Sequence, residues 1–229
     1  MDFTKMTPAR NEVIEKAEAK PLPPTNSYVP NQIANALHPG VQHLKVNKIV
    51  ENENVKTYYL EANAEKGTKS LAYFSAGQYL SIELEIGKMK LNRPYSLASS
   101  PKEALEGTYM LTIKRVDGGL ASNYILDNWA VGTEVTASEP LGTFTYEPLR
   151  DAKTVIGLAG GSGITPFRSL AKAIVDGDED AELVLLYGTN TLKEAIFQEE
   201  FKELEKLSPK FKLVNVLSAE DKDGVEKGF

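Results

Sequence analysis

The segment Arg93-Pro94-Tyr95-Ser96 groups three side chains with complementary binding chemistry. A fixed arginine can pair with a phosphate, a tyrosine ring offers a face on which a flat heterocycle can stack, and a serine hydroxyl can hydrogen bond to a ring nitrogen. The string is short, and a surface arginine beside a tyrosine that only packs would look the same. Taken alone, the segment leaves both interpretations open.

The string AGGSGITPF lies between an apolar run and an amphipathic segment, where a strand-to-helix loop could hold a phosphate. Gly160, Gly161 and Gly163 allow a tight turn and a close approach of the backbone to a ligand. Thr165 can cap the helix and Pro166 suits its first position, so that free N–H groups would face an anion. A glycine-rich turn with a purely structural role is the alternative.

Three widespread patterns do not fit this loop. The dinucleotide fingerprint G-x-G-x-x-G has Pro166 in place of its last glycine, and the P-loop pattern lacks its Lys-Ser/Thr pair. A hydrolase elbow around Ser162 fails at Ile164. In addition, His38 and His43 both precede that serine, which is the wrong order for a hydrolase triad.

A second pair of glycines, Gly118 and Gly119, precedes the helical stretch LASNYILDN. Glycines before a helix N-terminus again favour an anion site, this time within the strand-rich part of the chain. An ordinary Asp-Gly turn is the alternative interpretation.

Composition excludes several classes of function. The chain has 229 residues, no cysteine, two histidines and a net charge of −6. Without cysteine there are no disulfides, thiol nucleophiles or Cys-ligated iron–sulfur clusters, and the two histidines have no acidic neighbour at ligand spacing, so we predict no metal site. The acidic balance argues against nucleic acid as a partner. We find no apolar stretch of membrane-spanning length and no secretory pattern in the N-terminal residues, and we expect a cytoplasmic protein.

The hydrophobic pattern divides the chain into three predicted parts. Residues 1–40 predict an N-terminal extension with a short helix at Asn31–Leu37. Residues 41–150 contain short alternating strands separated by glycine turns, which predicts an antiparallel Greek-key barrel. The alternation is clear at Leu80, Ile82, Leu84 and Ile86, repeats at Tyr109, Leu111 and Ile113, and is weaker at Val55, Thr57 and Tyr59.

The pattern changes in residues 151–229. TVIGLA is a continuous apolar run, as in a strand buried on both faces, and LVLLYG and FKLVNVLS predict two further strands. Between them lie two amphipathic segments, one that begins near Phe167 and stops at Asp176-Gly177, and one from Leu192 to Leu207. The alternation of strand and helix predicts a parallel, doubly wound sheet.

Taken in order, RPYSLASSP, VDGGLASNYI, GLAGGSGITPFRSL and LLYGTNTLKEAIFQEEF resemble the flavin and pyridine-nucleotide motifs of the ferredoxin–NADP reductase superfamily. The resemblance covers about residues 41–229 and is greatest for NAD(P)H-dependent reductase modules that feed iron–sulfur proteins. It implies an FAD-binding barrel followed by an NAD(P)-binding α/β domain.

The resemblance also implies roles for individual residues. Tyr95, Ser96 and Thr165 are expected nearest the chemistry, with Tyr95 stacked on the isoalloxazine and Ser96 bonded near its N5 atom. Arg93 is expected to contact the flavin phosphates. The other expected contacts are Gly119, Ala121 and Ser122 for the FAD pyrophosphate, Gly160, Gly161, Gly163, Thr165 and Pro166 for the nicotinamide nucleotide, and Ile113, Lys114, Gly188 and Asn190 as further cofactor-binding residues.

One departure from the family bears on the choice of nucleotide. Relatives often carry an arginine after Tyr-Gly-Ser, where it can pair with the 2′-phosphate of NADPH, but this chain has Asn190 at that place. Since an asparagine cannot make the bidentate phosphate pair, NADH is favoured over NADPH, although Lys193 lies nearby.

The implied function is the passage of hydride from NADH, or less favourably NADPH, to FAD and of electrons onward to an iron–sulfur protein or another acceptor. A flavin-binding or non-catalytic module of a larger electron-transfer complex is the alternative. Family members continue beyond the point where this chain ends, with segments that contact the nicotinamide. We therefore expect a fragment, or a chain completed by a partner, that binds FAD but is reduced slowly by NADH.

Overall fold

The computed structural model describes residues 11–16, 24–52, 54–220 and 225–228, and the chain divides into two units, Met1–Leu37 and His38–Phe229. The described part of the first unit contains the helix α1 at 11–16, a 3₁₀ turn at Thr25–Ser27 and the helix α2 at Val29–Leu37. The predicted helix therefore exists but begins two residues earlier, because Pro30 suits a first helical turn. Residues 1–10 and 17–23 of the predicted N-terminal extension lie outside the described residues.

The second unit begins with six antiparallel strands in the order β4-β3-β6-β1-β2-β5. The sheet is curled as in the predicted barrel, and an isolated bridge between Leu97, directly after β4, and Leu111 of β5 brings its two outer edges together. We call these elements the barrel half. They are β1 Val41–Asn52, β2 Val55–Ala62, β3 Tyr79–Ile86, β4 Met89–Ser96, α3 Pro101–Leu105, β5 Tyr109–Lys114, α4 Leu120–Asn128 and β6 Glu134–Ser138.

The interior of the barrel is apolar. The prediction for β3 is confirmed at Leu80, Ile82 and Leu84, which are buried. The weaker prediction for β2 is confirmed at Val55 and Thr57, which are buried, but its single buried face is wrong. Tyr58 fills the barrel core, whereas Val55 packs in a second apolar cluster with Phe167. The single buried face expected for β5 is also wrong, since Tyr109–Ile113 are all buried. The barrel interior covers one face of β5, and the 3₁₀ turn at Gly161–Ile164 lies against this strand from outside the barrel.

The strand β4 ends with the segment Arg93–Ser96. The sequence pattern predicts that this segment follows one strand and opens another, YSLAS, and that boundary is wrong. β3 and β4 form a hairpin around Gly87, whose φ of +62° suits the tight turn, and the pairing continues as far as Ser96. The predicted site residues are consequently fixed by the β-ladder instead of lying in a loop.

A parallel four-stranded sheet follows, in the order β10-β9-β8-β7. With its two helices it confirms the predicted succession of an antiparallel barrel and a parallel α/β layer. We call these elements the sheet half. They are β7 Thr154–Gly160, α5 Thr165–Asp176, β8 Glu182–Thr189, α6 Gln198–Leu207, β9 Phe211–Leu217 and β10 Glu226–Lys227.

Two predictions for the sheet half are wrong. Ile156 and Leu158 of β7 are 70% and 72% exposed, because β7 is an edge strand and α5 and α6 both pack on the opposite face of the sheet. The expected helix from Leu192 to Leu207 is broken: a 3₁₀ turn ends at Glu194, and α6 starts only after Phe197, whose φ is +61°.

Candidate functional site

A cavity of about 600 Å³ lies between the barrel half and the sheet half. This volume is in the range of sites that hold small molecules and cofactors. Many of the predicted residues surround it. The barrel half contributes Arg93, Tyr95, Ser96, Ile113, Lys114, Gly119, Ala121 and Ser122. The sheet half contributes Gly163, Thr165 and Pro166.

The end of β4 supplies a cation, a ring and a hydroxyl to one wall of the cavity. The guanidinium of Arg93 is exposed and donates a hydrogen bond to the carbonyl of Asn92 at 2.8 Å, and within the described residues no carboxylate pairs with it. Burial raises the pKa of Tyr95, and the nearby charge of Arg93 opposes this only in part. The tyrosine is therefore a neutral hydrogen-bond donor at pH 7, and the arginine charge is available to an anion.

The turn before α4 brings the backbone close to the cavity. A Cβ atom at Gly119 would lie 2.7 Å from Oγ of Ser122 and 3.0 Å from Val116, so a side chain does not fit there. The amide of Asn123 holds the turn by donating to the carbonyl of Val116 at 2.9 Å. Since no side chain caps α4, its first N–H groups remain available to a ligand.

The glycine-rich loop forms the facing wall. Gly161 has a φ of +50° and begins a 3₁₀ turn that leads directly into α5. The predicted capping role of Thr165 is wrong: its hydroxyl donates to the carbonyl of Ser162 at 3.2 Å, and α5 has no side-chain cap. A Cβ atom at Gly160 or Gly163 would meet nothing within 4 Å, which leaves open space beside the backbone.

Four predicted residues lie outside the cavity lining, at the carboxyl end of the parallel strands. Gly160 of β7 pairs with Gly188 of β8, and Gly161 follows directly. Asn190 accepts a hydrogen bond from Oγ of Ser218 at 3.1 Å. Ligands of open α/β sheets bind at this end of the strands, so these residues can extend the site beyond the cavity.

Several residues of the region were not among the predicted site residues. Ser162 and Thr112 line the cavity, and Ser218 follows β9 next to Asn190. The position of Ser162 between two glycines of the loop was a signal that could have included it. No local signal marks Thr112, whose hydroxyl pairs with that of Thr57 on the neighbouring strand at 2.9 Å.

The described residues form neither a cluster of metal ligands nor a membrane-spanning helix. No three histidine, aspartate or glutamate side chains within those residues come together as metal ligands. Likewise, none of the helices in the described ranges combines the length and apolar character needed to cross a membrane.

Two family models match the chain. Residues 43–146 match the oxidoreductase FAD-binding domain, and residues 158–229 match the oxidoreductase NAD-binding domain. The first match covers most of the barrel half, and the second contains both the glycine-rich loop and α5.

Individual reductases are similar to this chain in sequence over most of its length. The glycine betaine monooxygenase reductase subunit of Chromohalobacter salexigens is 30% identical over 179 residues, which are 78% of this chain and 47% of that protein. NADH-cytochrome b5 reductase 1 of Dictyostelium discoideum is 32% identical over 172 residues, which are 75% of this chain and 58% of that protein. The chain thus spans about half the length of these curated relatives.

A solved structure shows the same fold. The ferredoxin NADP⁺ reductase from Neisseria gonorrhoeae, with bound FAD and NADP, superimposes with a TM-score of 0.68 and 21% identity over 83% of this chain and 73% of that one.

Proposed function

The chain belongs to the ferredoxin–NADP reductase family, with an FAD-binding domain followed by an NAD-binding domain, and from this premise we propose that it is an NADH-dependent flavin oxidoreductase. The observation that carries the proposal is the shared cavity, since Tyr95 and Ser96 on the barrel half face the loop that contains Gly163 and Thr165. A flavin held by the first wall would meet a nicotinamide held by the second.

The residues of the cavity fit FAD. Arg93 offers a charge that no carboxylate within the described residues neutralises, and the backbone at Gly119 and the first turn of α4 offer N–H groups to a pyrophosphate. The ring of Tyr95 suits stacking on a flat heterocycle, and Ser96 offers a hydroxyl beside it. The open backbone at Gly160 and Gly163 suits the close approach of a second nucleotide.

Bound FAD supplies the hydride acceptor and single-electron donor that the side chains lack. The chain itself contributes orientation and electrostatics. Arg93 neutralises phosphate charge, Tyr95 and Ser96 hold the ring, and Thr165 keeps the facing loop in its turn through its bond to Ser162. The reaction requires no side chain to act as a nucleophile.

NADH is the proposed reductant. By the family resemblance, Asn190 takes the place of an arginine that could pair with a 2′-phosphate, and its side chain is engaged with Ser218 and Glu194, at 3.1 and 3.2 Å. The name of the Dictyostelium relative specifies NADH, which supports the same choice. NADH is an intracellular reductant, and the proposal therefore includes a cytoplasmic location.

The proposed electron acceptor is an iron–sulfur protein, an oxygenase component or a haem protein. Support comes from the names of the relatives, one of which is a monooxygenase reductase subunit and another a cytochrome b5 reductase. The 229 residues contain no cysteine, so a Cys-ligated cluster would lie outside them.

The test is the visible spectrum of the FAD-loaded protein before and after anaerobic NADH, with dithionite as the reference for full reduction. We expect flavin bands that NADH bleaches, even slowly. Bands that only dithionite bleaches would favour the non-catalytic flavin module, and a protein that cannot take up FAD would refute the proposal.

A matched pair of variants links the spectrum to the cavity. Arg93→Ala should weaken FAD binding about tenfold to a hundredfold, the loss of one charge-assisted hydrogen bond of about 1.5–3 kcal/mol. Lys90→Ala, on the same strand but paired with Glu85, should leave FAD binding unchanged.

A further inference from the structure

Arg168 is a buried arginine that joins the two halves of the molecule. It lies on α5 of the sheet half and is only 3% exposed. Its guanidinium donates to both carboxylate oxygens of Glu103 in the barrel half, at 2.7 and 3.0 Å, and to the carbonyl oxygen of Ala98 at 2.6 Å. It also donates to both carboxylate oxygens of Glu200 on α6, at 2.6 and 3.0 Å.

The partners of Arg168 are themselves held in place. Glu103 accepts from the N–H of Ser100 at 2.7 Å and completes a capping box at the start of α3. Burial alone would raise the pKa of Glu103, but hydrogen bonds and charge from Arg168 outweigh it and hold the pKa below its ordinary value. The contact therefore links two charged groups of fixed position.

The contacts of Arg168 lie close to both walls of the cavity. On α5, Arg168 comes three residues after Thr165, in the first turn of the same helix. On the barrel side, Ala98 comes two residues after Ser96, where the chain leaves β4. The side chain of Arg168 thus connects the two walls, and on each wall its attachment lies two or three residues from a residue that lines the cavity.

We propose that Arg168 is a positioning residue that fixes the spacing of the two cavity walls, and so the spacing of flavin and nicotinamide. The proposal rests on the proposed function for its consequence in catalysis, but the joint between the halves exists without any cofactor. A guanidinium is suited to the task because its rigid fork can satisfy two carboxylates and a carbonyl together.

The chain offers a matched pair of variants for the test. Glu103→Gln weakens the contact that crosses between the halves, and glutamine can keep the capping box with Ser100. Glu200→Gln removes a similar ion pair that lies within the sheet half. Arg168→Met removes both. All variants are compared at a temperature well below their melting transitions.

The first readout needs no cofactor. Limited trypsin digestion of the full chain is followed at Arg150 and Lys153, which are exposed and lie in the connection between the halves. We expect Arg168→Met and Glu103→Gln to accelerate this cleavage about tenfold, because cleavage follows the population of the opened state, and Glu200→Gln to leave it near the wild-type rate. Equal acceleration by both glutamine variants, or none by Arg168→Met, would overturn the proposal.

The second readout separates position from binding. In Arg168→Met we expect the FAD dissociation constant to change little while flavin reduction by NADH slows by about tenfold to a hundredfold, as for a small misplacement of reacting groups. Unchanged reduction would also count against a positioning role. If NADH fails to reduce the wild-type flavin, the proposed function fails, while the digestion experiment still decides whether Arg168 joins the halves.

Discussion

The hydroxyl of Tyr187 donates a hydrogen bond to the carbonyl oxygen of Gly161 at 3.0 Å, which ties the second strand of the parallel sheet to the glycine-rich loop. The hydroxyl oxygen of Tyr187 in turn accepts a hydrogen bond from the backbone N–H of Ile196 at 3.0 Å. Burial raises the pKa of Tyr187 to about 12, so the hydroxyl keeps its proton at pH 7. The bond to Ile196 also explains why no continuous helix runs from Leu192: the N–H that would continue it is taken by the tyrosine.

Replacing Tyr187 by phenylalanine should therefore loosen the loop while preserving the packing of the ring. The change leaves the Ile196 N–H and one bond of the Gly161 carbonyl unsatisfied, and we expect a loss of about 1–3 kcal/mol in the free energy of unfolding. Nucleotide binding should weaken by up to about tenfold, because the loop that receives it is less fixed. Urea denaturation and a titration with NAD⁺ measure the two effects.

Tyr58→Phe is the matched control for this experiment. Its hydroxyl donates to the carbonyl of Ile125 at 3.2 Å inside the barrel half. The control should lower stability without changing NAD⁺ affinity. Equal NAD⁺ affinity in both variants would show that the bond to Gly161 does not shape the nucleotide site.

Gly163→Ala tests whether the open space beside the loop receives a ligand. The added Cβ would meet no protein atom within 4 Å, and the φ of Gly163 is not positive. The free energy of unfolding should therefore stay within about 0.5 kcal/mol of the wild type. If a nucleotide occupies the space, its affinity should fall by about tenfold or more, measured by calorimetric titration with NADH and NAD⁺. Unchanged affinity would place the nucleotide elsewhere.

The features that the sequence predicted are those encoded by neighbouring residues. Asp176-Gly177 ends α5 as expected, because Gly177 adopts a φ of +86° that favours glycine. The alternation in β3 likewise gives the buried face of that strand. Both glycine turns that precede helices border the cavity, as predicted. They could be predicted because each motif is short and its glycines determine the local backbone geometry.

The features that the sequence did not predict depend on distant partners. Arg168 falls in an amphipathic helix where an arginine suggests an exposed position, and its partners Ala98 and Glu103 lie 70 and 65 residues away. The exposure of Ile156 and Leu158 follows from the order of the strands, which local periodicity does not reveal. The break before α6 is set by the tertiary bond to Tyr187.

The ion pair between Arg168 and Glu103 predicts a specific loss of stability in acid. The pKa of Glu103 is lowered in the folded protein, so its contribution is complete above the ordinary value of 4.5 and is lost as the pH falls through the lowered value. We expect Glu103→Gln to be less stable than the wild type by about 1.5–3 kcal/mol at pH 7, with the difference shrinking below pH 4.5.

Urea midpoints of the two proteins at pH 7, 5, 4 and about 3.5 measure this difference across the expected range. Other carboxyl groups with lowered pKa, such as Asp127 and Asp180, are present in both proteins and cancel from the comparison. A difference that stays constant down to the lowest pH would contradict the assignment to Glu103.

The outer face of β7 should govern the tendency of this chain to associate. Ile156 and Leu158 are exposed on a strand that forms the edge of the described sheet, and a flat apolar edge is a site for pairing with other chains. Ile156→Lys or Leu158→Lys should reduce concentration-dependent association in sedimentation velocity, with a change of about 0.5 kcal/mol or less in stability. Leu207→Lys, at an equally exposed leucine on α6, is the control and should not have this effect, since Leu207 lies outside the sheet. The same reduction in all three variants would point to net charge and not to the edge of β7.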